Sequence, residues 1–322
     1  MEFRCLCPRC YSGQICQFNT RGLSFTLDSL IWQSSLSVQV IYLALSSCIF
    51  FIGGFTNYAS FVTFKRPNPR KFGVGNYLLI VSLLNQCSLL SYLLKVFFIF
   101  FPTLLTIISC KIVSYVLSVS TRYNYWLTSW ITLERVCSVL FPFNDYLKSP
   151  RSAIVTSFIT LFVVTAMHIH EIIFYMIEND PHKQTMCIGN LPVYISTYNY
   201  INVLIHHLIP FCIQILSITV LIVLIARSRS RAIKDGETFI KVLKRQFQNQ
   251  KELYITPLII VLSGLPQIII SFTFSCTELA AWTRHLLSVT YLLSFAPQLL
   301  GFMLFVLPSN NYFNEFQQTQ LS

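Results

Sequence analysis

Long apolar stretches separated by short polar ones run along most of this chain. Seven of them, at 37–64, 73–101, 108–140, 152–177, 195–226, 253–275 and 284–307, are long enough to cross a hydrocarbon layer as helices. Pro266 and Pro297 interrupt the sixth and seventh. Proline is tolerated in a membrane helix because neighbouring groups re-satisfy the carbonyl it frees. After Leu307 the chain turns polar but keeps Tyr312, Phe313 and Phe316 at helical spacing, which suits a short amphipathic helix on a membrane surface. The pattern therefore predicts an all-α chain, a seven-transmembrane helix bundle with a short amphipathic eighth helix. It divides into an extracellular segment (1–36), the bundle (37–307) and a short cytoplasmic tail (308–322).

Composition agrees. Hydrophobic residues make up 54% of the chain, charged residues 11%, and the mean hydropathy is +0.60. A water-soluble domain carries about 25% charged residues, so this chain has too few to coat itself in water. The charges it does have are unevenly placed. Lys65, Arg66, Arg70 and Lys71 follow the first stretch with no acid among them. Arg227, Arg229, Arg231, Lys234, Lys241, Lys244 and Arg245 follow the fifth, against Asp235 and Glu237. The alternate loops are poor in base, with Glu178, Asp180 and Lys183 in one and Glu278 in another. Basic loops stay in the cytoplasm, so the N-terminus is expected outside and the C-terminus inside. The net charge of +11 then reads as a topogenic signal with attraction to anionic lipid headgroups. It does not read as a nucleic-acid surface, because the bases flank apolar spans.

Charged and polar residues inside the spans point to a pocket. They are Lys95 in the second span, Arg122 in the third, Glu171 in the fourth beside His168 and His170, His206 and His207 in the fifth, and Gln267 in the sixth. Taken singly, each is more simply a structural interhelical bond, and Arg122 and Glu171 could pair with each other. As a set they imply a polar cavity, in which Lys95 and Arg122 favour a ligand with an acidic or carbonyl group. The third span also carries Cys110 and Arg135, 25 residues apart. At ~1.5 Å per residue they lie ~37 Å apart, close to the thickness of a membrane. Near the N-terminus, Cys5, Cys7, Cys10 and Cys16 favour disulfides over a metal site in an oxidising location.

Several of these residues stand in a familiar arrangement. Glu134-Arg135-Val136 ends the third span, Pro142 follows the arginine by seven residues, Cys110 precedes it by 25, and Cys187 lies in the loop T-M-C-I-G-N. Asn57 follows Gly54 in the first span, and Pro210, Pro266 and Pro297 stand in the fifth, sixth and seventh. In these features the chain, over about residues 37–316, resembles the rhodopsin-like (class A) G-protein-coupled receptors, and in its departures the divergent orphan and chemosensory lineages of invertebrates. Asn85 stands where the family usually has aspartate, Ile218 where it has tyrosine, Gly264 where it has tryptophan, and Ala296 where it has asparagine.

The resemblance implies a plasma-membrane receptor that binds an extracellular ligand and activates a heterotrimeric G protein. It implies a Cys110–Cys187 disulfide on the outer face and coupling through Glu134, Arg135 and Pro142. It also implies packing roles for Asn57, Asn85 and Asn124. Leu117 occupies the position where amine receptors of the family place an aspartate, which disfavours a monoamine. No cofactor is expected. Enzymatic chemistry is not expected either, because no metal cluster or Ser/His/Asp set stands at usable spacing. The alternative is a transporter or channel subunit, against which the chain has no inverted repeat and no acidic relay.

Overall fold

The computed structural model describes residues 11–12, 18–19, 31, 35–141, 149–179, 185–189, 191–232, 251–273 and 281–320. Two short strands, β1 (Tyr11–Ser12) and β2 (Phe18–Asn19), pair near the start. The rest is almost entirely helical: α1 (Leu36–Lys65), α2 (Gly73–Phe100), α3 (Ile107–Leu140), α4 (Pro150–Phe174), α5 (Val193–Ala232), α6 (Lys251–Thr273), α7 (Ala281–Leu293) and α8 (Asn310–Gln320). The chain is thus all-α, with two small strand pairs among the described residues. The N-terminal cysteines and Pro142 lie outside the described residues.

The helices begin and end where local chemistry dictates. At the start of α3 the Thr106 hydroxyl accepts from the Ser109 backbone N–H at 3.2 Å, and the Ser109 hydroxyl accepts from the Thr106 N–H at 2.8 Å. This reciprocal pair satisfies two donors that have no partner within the helix. α4 opens on Pro150, with the Ser149 hydroxyl accepting from Ser152 N–H at 3.1 Å. α7 ends because Pro297 has no N–H to offer the Leu293 carbonyl. The chain tightens there, with Phe295 N–H bonding Leu292 O at 3.1 Å. It then continues through two short helical segments, Ala296–Leu299 and Gly301–Phe305.

Four described helices are long and apolar enough to cross a membrane: α1, α2, α4 and the Tyr194–Leu224 part of α5. Their outer faces carry large apolar side chains, with Phe55 74% exposed on α1 and Phe162 74% exposed on α4. Their inner faces carry Asn57, Ser60, Thr63, Asn85 and Ser157, all buried. Apolar outside and polar inside reverses the order of a soluble protein, so the chain is membrane-embedded. α3 is longer, at 34 residues, but less apolar. It packs against α2, α4, α5 and the second hairpin, so its middle meets protein while Ile108 and Ile112 near its start stay exposed.

In hydrocarbon, helices gain nothing by hiding apolar surface from water, and packing and polar bonds must hold them together. Two clusters do the packing. One joins α1 to α4 through Phe64, Tyr77, Leu78, Val81, Tyr123, Leu127 and Ala153. The other, further along the bundle, joins α1, α2 and α3 to the end of α7 through Tyr42, Leu89, Tyr92, Leu117 and Phe295. Inward hydroxyls return protons to their own helix, as Thr63 does to Ala59 O at 2.8 Å and Ser157 to Ala153 O at 2.8 Å.

Two expectations change. Residues 175–177, expected in the fourth helix, form a strand. β3 (Tyr175–Asn179) pairs antiparallel with β4 (Thr185–Gly189), with Ile177 opposite Cys187. Alternation decides this, because Tyr175 and Ile177 turn to the same side and pack on Cys110 and Cys187. The eighth helix forms, but Tyr312 and Phe316 point into protein. Their rings meet Phe64 at 5.1 Å and Phe302 at 4.9 Å. Glu315 holds the helix down by accepting from Asn68 Nδ2 at 2.7 Å and pairing with Arg66 at 3.8 Å.

Helices also approach closely where a side chain is absent. A Cβ on Gly75 would land on the backbone carbonyl of Pro69, in the one-turn helix Pro67–Arg70 that precedes α2. Backbone cannot rotate aside as a side chain can. Gly75→Ala should therefore cost about 1–3 kcal/mol, seen as a lower melting temperature of the purified protein in detergent.

Candidate functional site

The described residues gather their polar chemistry at three levels along α3. At one end Cys110 and Cys187 form a disulfide, with Cα atoms 5.6 Å apart. Both are buried and packed against Tyr175, Leu105 and Ile177. The bond fastens the β3–β4 hairpin across the start of α3. Cys48, Cys87, Cys137 and Cys212 are free thiols.

Below the hairpin, Arg122 is the centre of a polar cluster between α3, α4 and α5. Its charge acts on Glu171, His168, His206 and His207. Lys95 acts on Glu171 as well, and its Nζ sits 5.7 Å from the Tyr175 ring centre. Lys95 and Glu171 are 7% and 5% exposed. Arg122 and Glu171 do not close an ion pair, and Arg122 Nε and Glu171 Oε2 are buried without hydrogen-bond partners. The structure thus brings Lys95, Arg122, Glu171, His206 and His207 to one region. Gln267 stands apart on α6, half-buried.

Hydrogen bonds set the histidine tautomers. The Trp126 indole N–H donates to His206 Nδ1 at 2.8 Å, so the neutral ring carries its proton on Nε2, which is buried and unpartnered. His168 Nδ1 donates to Val164 O at 2.9 Å, leaving Nε2 to accept from Asn202 Nδ2 at 3.3 Å. The His168 and His206 rings lie 5.0 Å apart. Trp126 and Asn202 escaped the sequence reading. Trp126 stands one turn after Arg122, but an indole in an apolar helix reads as packing. Among the described residues, no three His, Cys, Asp or Glu side chains stand close enough to hold a metal.

At mid-bundle the three asparagines form a chain across α1, α2 and α3. Asn85 Nδ2 donates to Asn57 Oδ1 at 3.3 Å, and Asn124 Nδ2 donates to Asn85 Oδ1 at 3.0 Å. Gly301 faces them, because a Cβ there would stand 3.3 Å from Asn85 Nδ2 and 3.5 Å from Asn57 Oδ1. Beside this chain, Ser88 donates to Ser120 at 2.7 Å, a second link between α2 and α3.

At the far end Glu134 does something its sequence neighbour did not suggest. Its Oε1 accepts the Val74 backbone N–H at 3.2 Å, so it caps α2. A Cβ on Gly73 would press on the same carboxylate, 2.6 Å from Oε2. The Val74 N–H and the positive end of the helix dipole favour an anion there, while burial opposes the charge and Oε2 has no hydrogen-bond partner. Arg135 is half-buried and acts on Tyr312 of α8. Burial pushes the Tyr312 phenol above its ordinary pKa, with Arg135 opposing and Glu134 adding.

The chain matches no protein-family model, and no curated protein matches it.

The disulfide closes a loop of 77 residues. In the chain-entropy picture that constrains the unfolded state by about 4–5 kcal/mol. Cys110→Ser and Cys187→Ser should each lower the unfolding temperature, and the double substitution should be no worse than either. Additive losses in that cycle would argue against a shared bond.

Proposed function

We propose that the chain is a cell-surface receptor of the plasma membrane. It binds an extracellular ligand below the β3–β4 hairpin and activates a heterotrimeric G protein at the opposite face. The observation that carries this reading is the layout of α3. One end is bonded to a hairpin, the middle holds the Arg122 cluster, and the other end presents Glu134 and Arg135. The resemblance to rhodopsin-like receptors supports the same assignment. In this reading α3, α6 and α7 cross the membrane beside the four helices already apolar enough to do so. The basic loops place the N-terminus outside and the C-terminus in the cytoplasm.

The chemistry of the cluster suits a switch. An acidic or carbonyl ligand supplies an acceptor to Arg122 and Lys95, which compete for Glu171. A ligand shifts a conformational equilibrium only by its difference in affinity for the two states. Here that difference comes from groups on α3, α4 and α5, Arg122, Glu171 and His206, that the bundle leaves partly unsatisfied. At the cytoplasmic end, Glu134 is held by the α2 N-terminus, and Arg135 beside it is the residue that meets the G protein in this reading. In the resembling family the arginine meets the G protein once helix six moves outward.

Guanine-nucleotide exchange on a panel of co-expressed G proteins tests the assignment. Arg135→Ala should abolish exchange while surface expression and melting temperature stay at parent values. Exchange at the parent rate in that variant would overturn the coupling role.

A further inference from the structure

Two lipid-facing stripes end in bases at the same end of the bundle. On α1 the exposed side chains Phe51, Phe55 and Tyr58 share one helix face, and Lys65, two turns further on, is exposed on that face too. On α4 the exposed Arg151, Val155, Phe158 and Phe162 fall on one face at the same spacing, with Arg151 at its start. Phe64 and Ala153, close in sequence to the two bases, belong to one packed cluster, so the two stripes end near one level. Long basic side chains carry their charge to the membrane interface. This level is therefore where hydrocarbon gives way to headgroups.

The turn from Lys65 to Phe72, between α1 and α2, stands at that level with its backbone held. Asn76 Nδ2 donates to the carbonyls of Arg70 and Phe72, both at 3.0 Å, and Gly75 lets the Pro69 carbonyl lie directly against α2. Glu315 of α8 is already engaged by Arg66 and Asn68. Lys71 Nζ donates to Asn68 Oδ1 at 3.1 Å, which keeps its charge close to the turn. Lys65, Arg70 and Lys71 are exposed, and among the described residues none of the three pairs with an acid. Phe72 beside them is 61% exposed, an apolar ring next to three cations.

We propose that this turn binds a phospholipid whose headgroup carries a phosphomonoester, in the leaflet at the α8 end of the bundle. The inference rests on the membrane-embedded character of the chain and not on the receptor reading. Three cations on one held turn match a headgroup with both a phosphodiester and a phosphomonoester better than a headgroup with a single net charge. The Arg70 guanidinium suits the paired oxygens of a phosphate, and the two ammonium groups add point charges. The neighbours choose a lipid over a soluble anion. Lys65 continues a stripe that faces acyl chains, and Phe72 suits the boundary between headgroups and acyl chains. Because the backbone is already held, binding orders little beyond the three side chains.

The test titrates the purified full chain, in an uncharged detergent, with four probes and follows the melting temperature. The probes are phosphatidylinositol 4-phosphate, phosphatidylserine and phosphatidylcholine with the same acyl chains, and inositol 1,4-bisphosphate, which has the headgroup charges without the chains. Phosphatidylinositol 4-phosphate should give a saturable rise and bind the most tightly of the four. Lys65→Gln, Arg70→Gln and Lys71→Gln should each weaken it about fivefold, the factor that corresponds to about 1 kcal/mol per base at an anionic surface. Lys65→Arg keeps the charge and should bind as the parent does. Lys111→Gln, at the opposite end of α3, should do the same. The proposal is overturned if phosphatidylserine or phosphatidylcholine binds as tightly, or if the three glutamine variants bind as the parent does. It is overturned equally if inositol 1,4-bisphosphate matches the lipid, which would make the occupant a soluble phosphate.

Discussion

No water reaches the outer faces of these helices, and every other feature of the structure follows from that. Phe55, Phe162 and their neighbours point out, so the polar side chains point in and have only each other to bond. Each unmatched polar group in such a surround costs free energy with nothing outside to recover it. The asparagine chain through Asn57, Asn85 and Asn124 is one answer. Three amides in series satisfy most of one another's needs and tie α1, α2 and α3 together at the level where no apolar driving force could. The Ser88–Ser120 bond and the Ser and Thr hydroxyls turned back on their own helices are smaller versions of the same solution.

α3 is where those interior bonds converge, and its sequence reflects this. It is the least apolar of the long helices because its middle, from Val113 to Val136, is enclosed by protein and its exposed apolar side chains stand near its ends. Its Cys110 end takes a covalent bond, its Tyr123 and Trp130 reach α4 at Ser157 O and Thr160, and its Ser129 reaches α5 at the Pro210 carbonyl. A helix fixed on several sides cannot adjust one contact without straining another. Interactions made along it are therefore coupled.

The apolar runs made the helices legible, because length and hydropathy set them nearly alone. The strand at 175–177 was not read, because its apolar residues continue the run of α4 without a break. Only the alternation of Tyr175 and Ile177 against the disulfide separates strand from helix. The spacing of Cys110 and Arg135 located two ends of one helix, and family resemblance supplied the pairing with Cys187. Of the six polar residues named from the sequence, Arg122 acts on Glu171, His206 and His207, and Lys95 acts on Glu171, because polar side chains in an apolar helix have few directions to face. Gln267 does not join them, since helix phase beside a proline is not readable from spacing. Glu134 also reaches the start of α2, a contact between residues 60 apart that no local pattern encodes.

What remains unsatisfied is as informative as what is bonded. Arg122 Nε, Glu171 Oε2, His206 Nε2 and Gln214 Oε1 are all buried without partners. Each typically costs about 1–3 kcal/mol, and an apolar residue of similar size at any of these positions would pack without that cost. Unpartnered atoms also stand in the asparagine chain, at Asn57 Nδ2 and Asn124 Oδ1, and at Glu134 Oε2 and Gln298, so this cost is spread along the bundle. The set around Arg122 and Glu171 carries a large share of it, because burying a charged group costs more than burying a neutral amide. It lies between the disulfide-bonded hairpin and the Glu134 end, so a group arriving there would act on α3 at mid-length, where it can alter packing toward both faces at once.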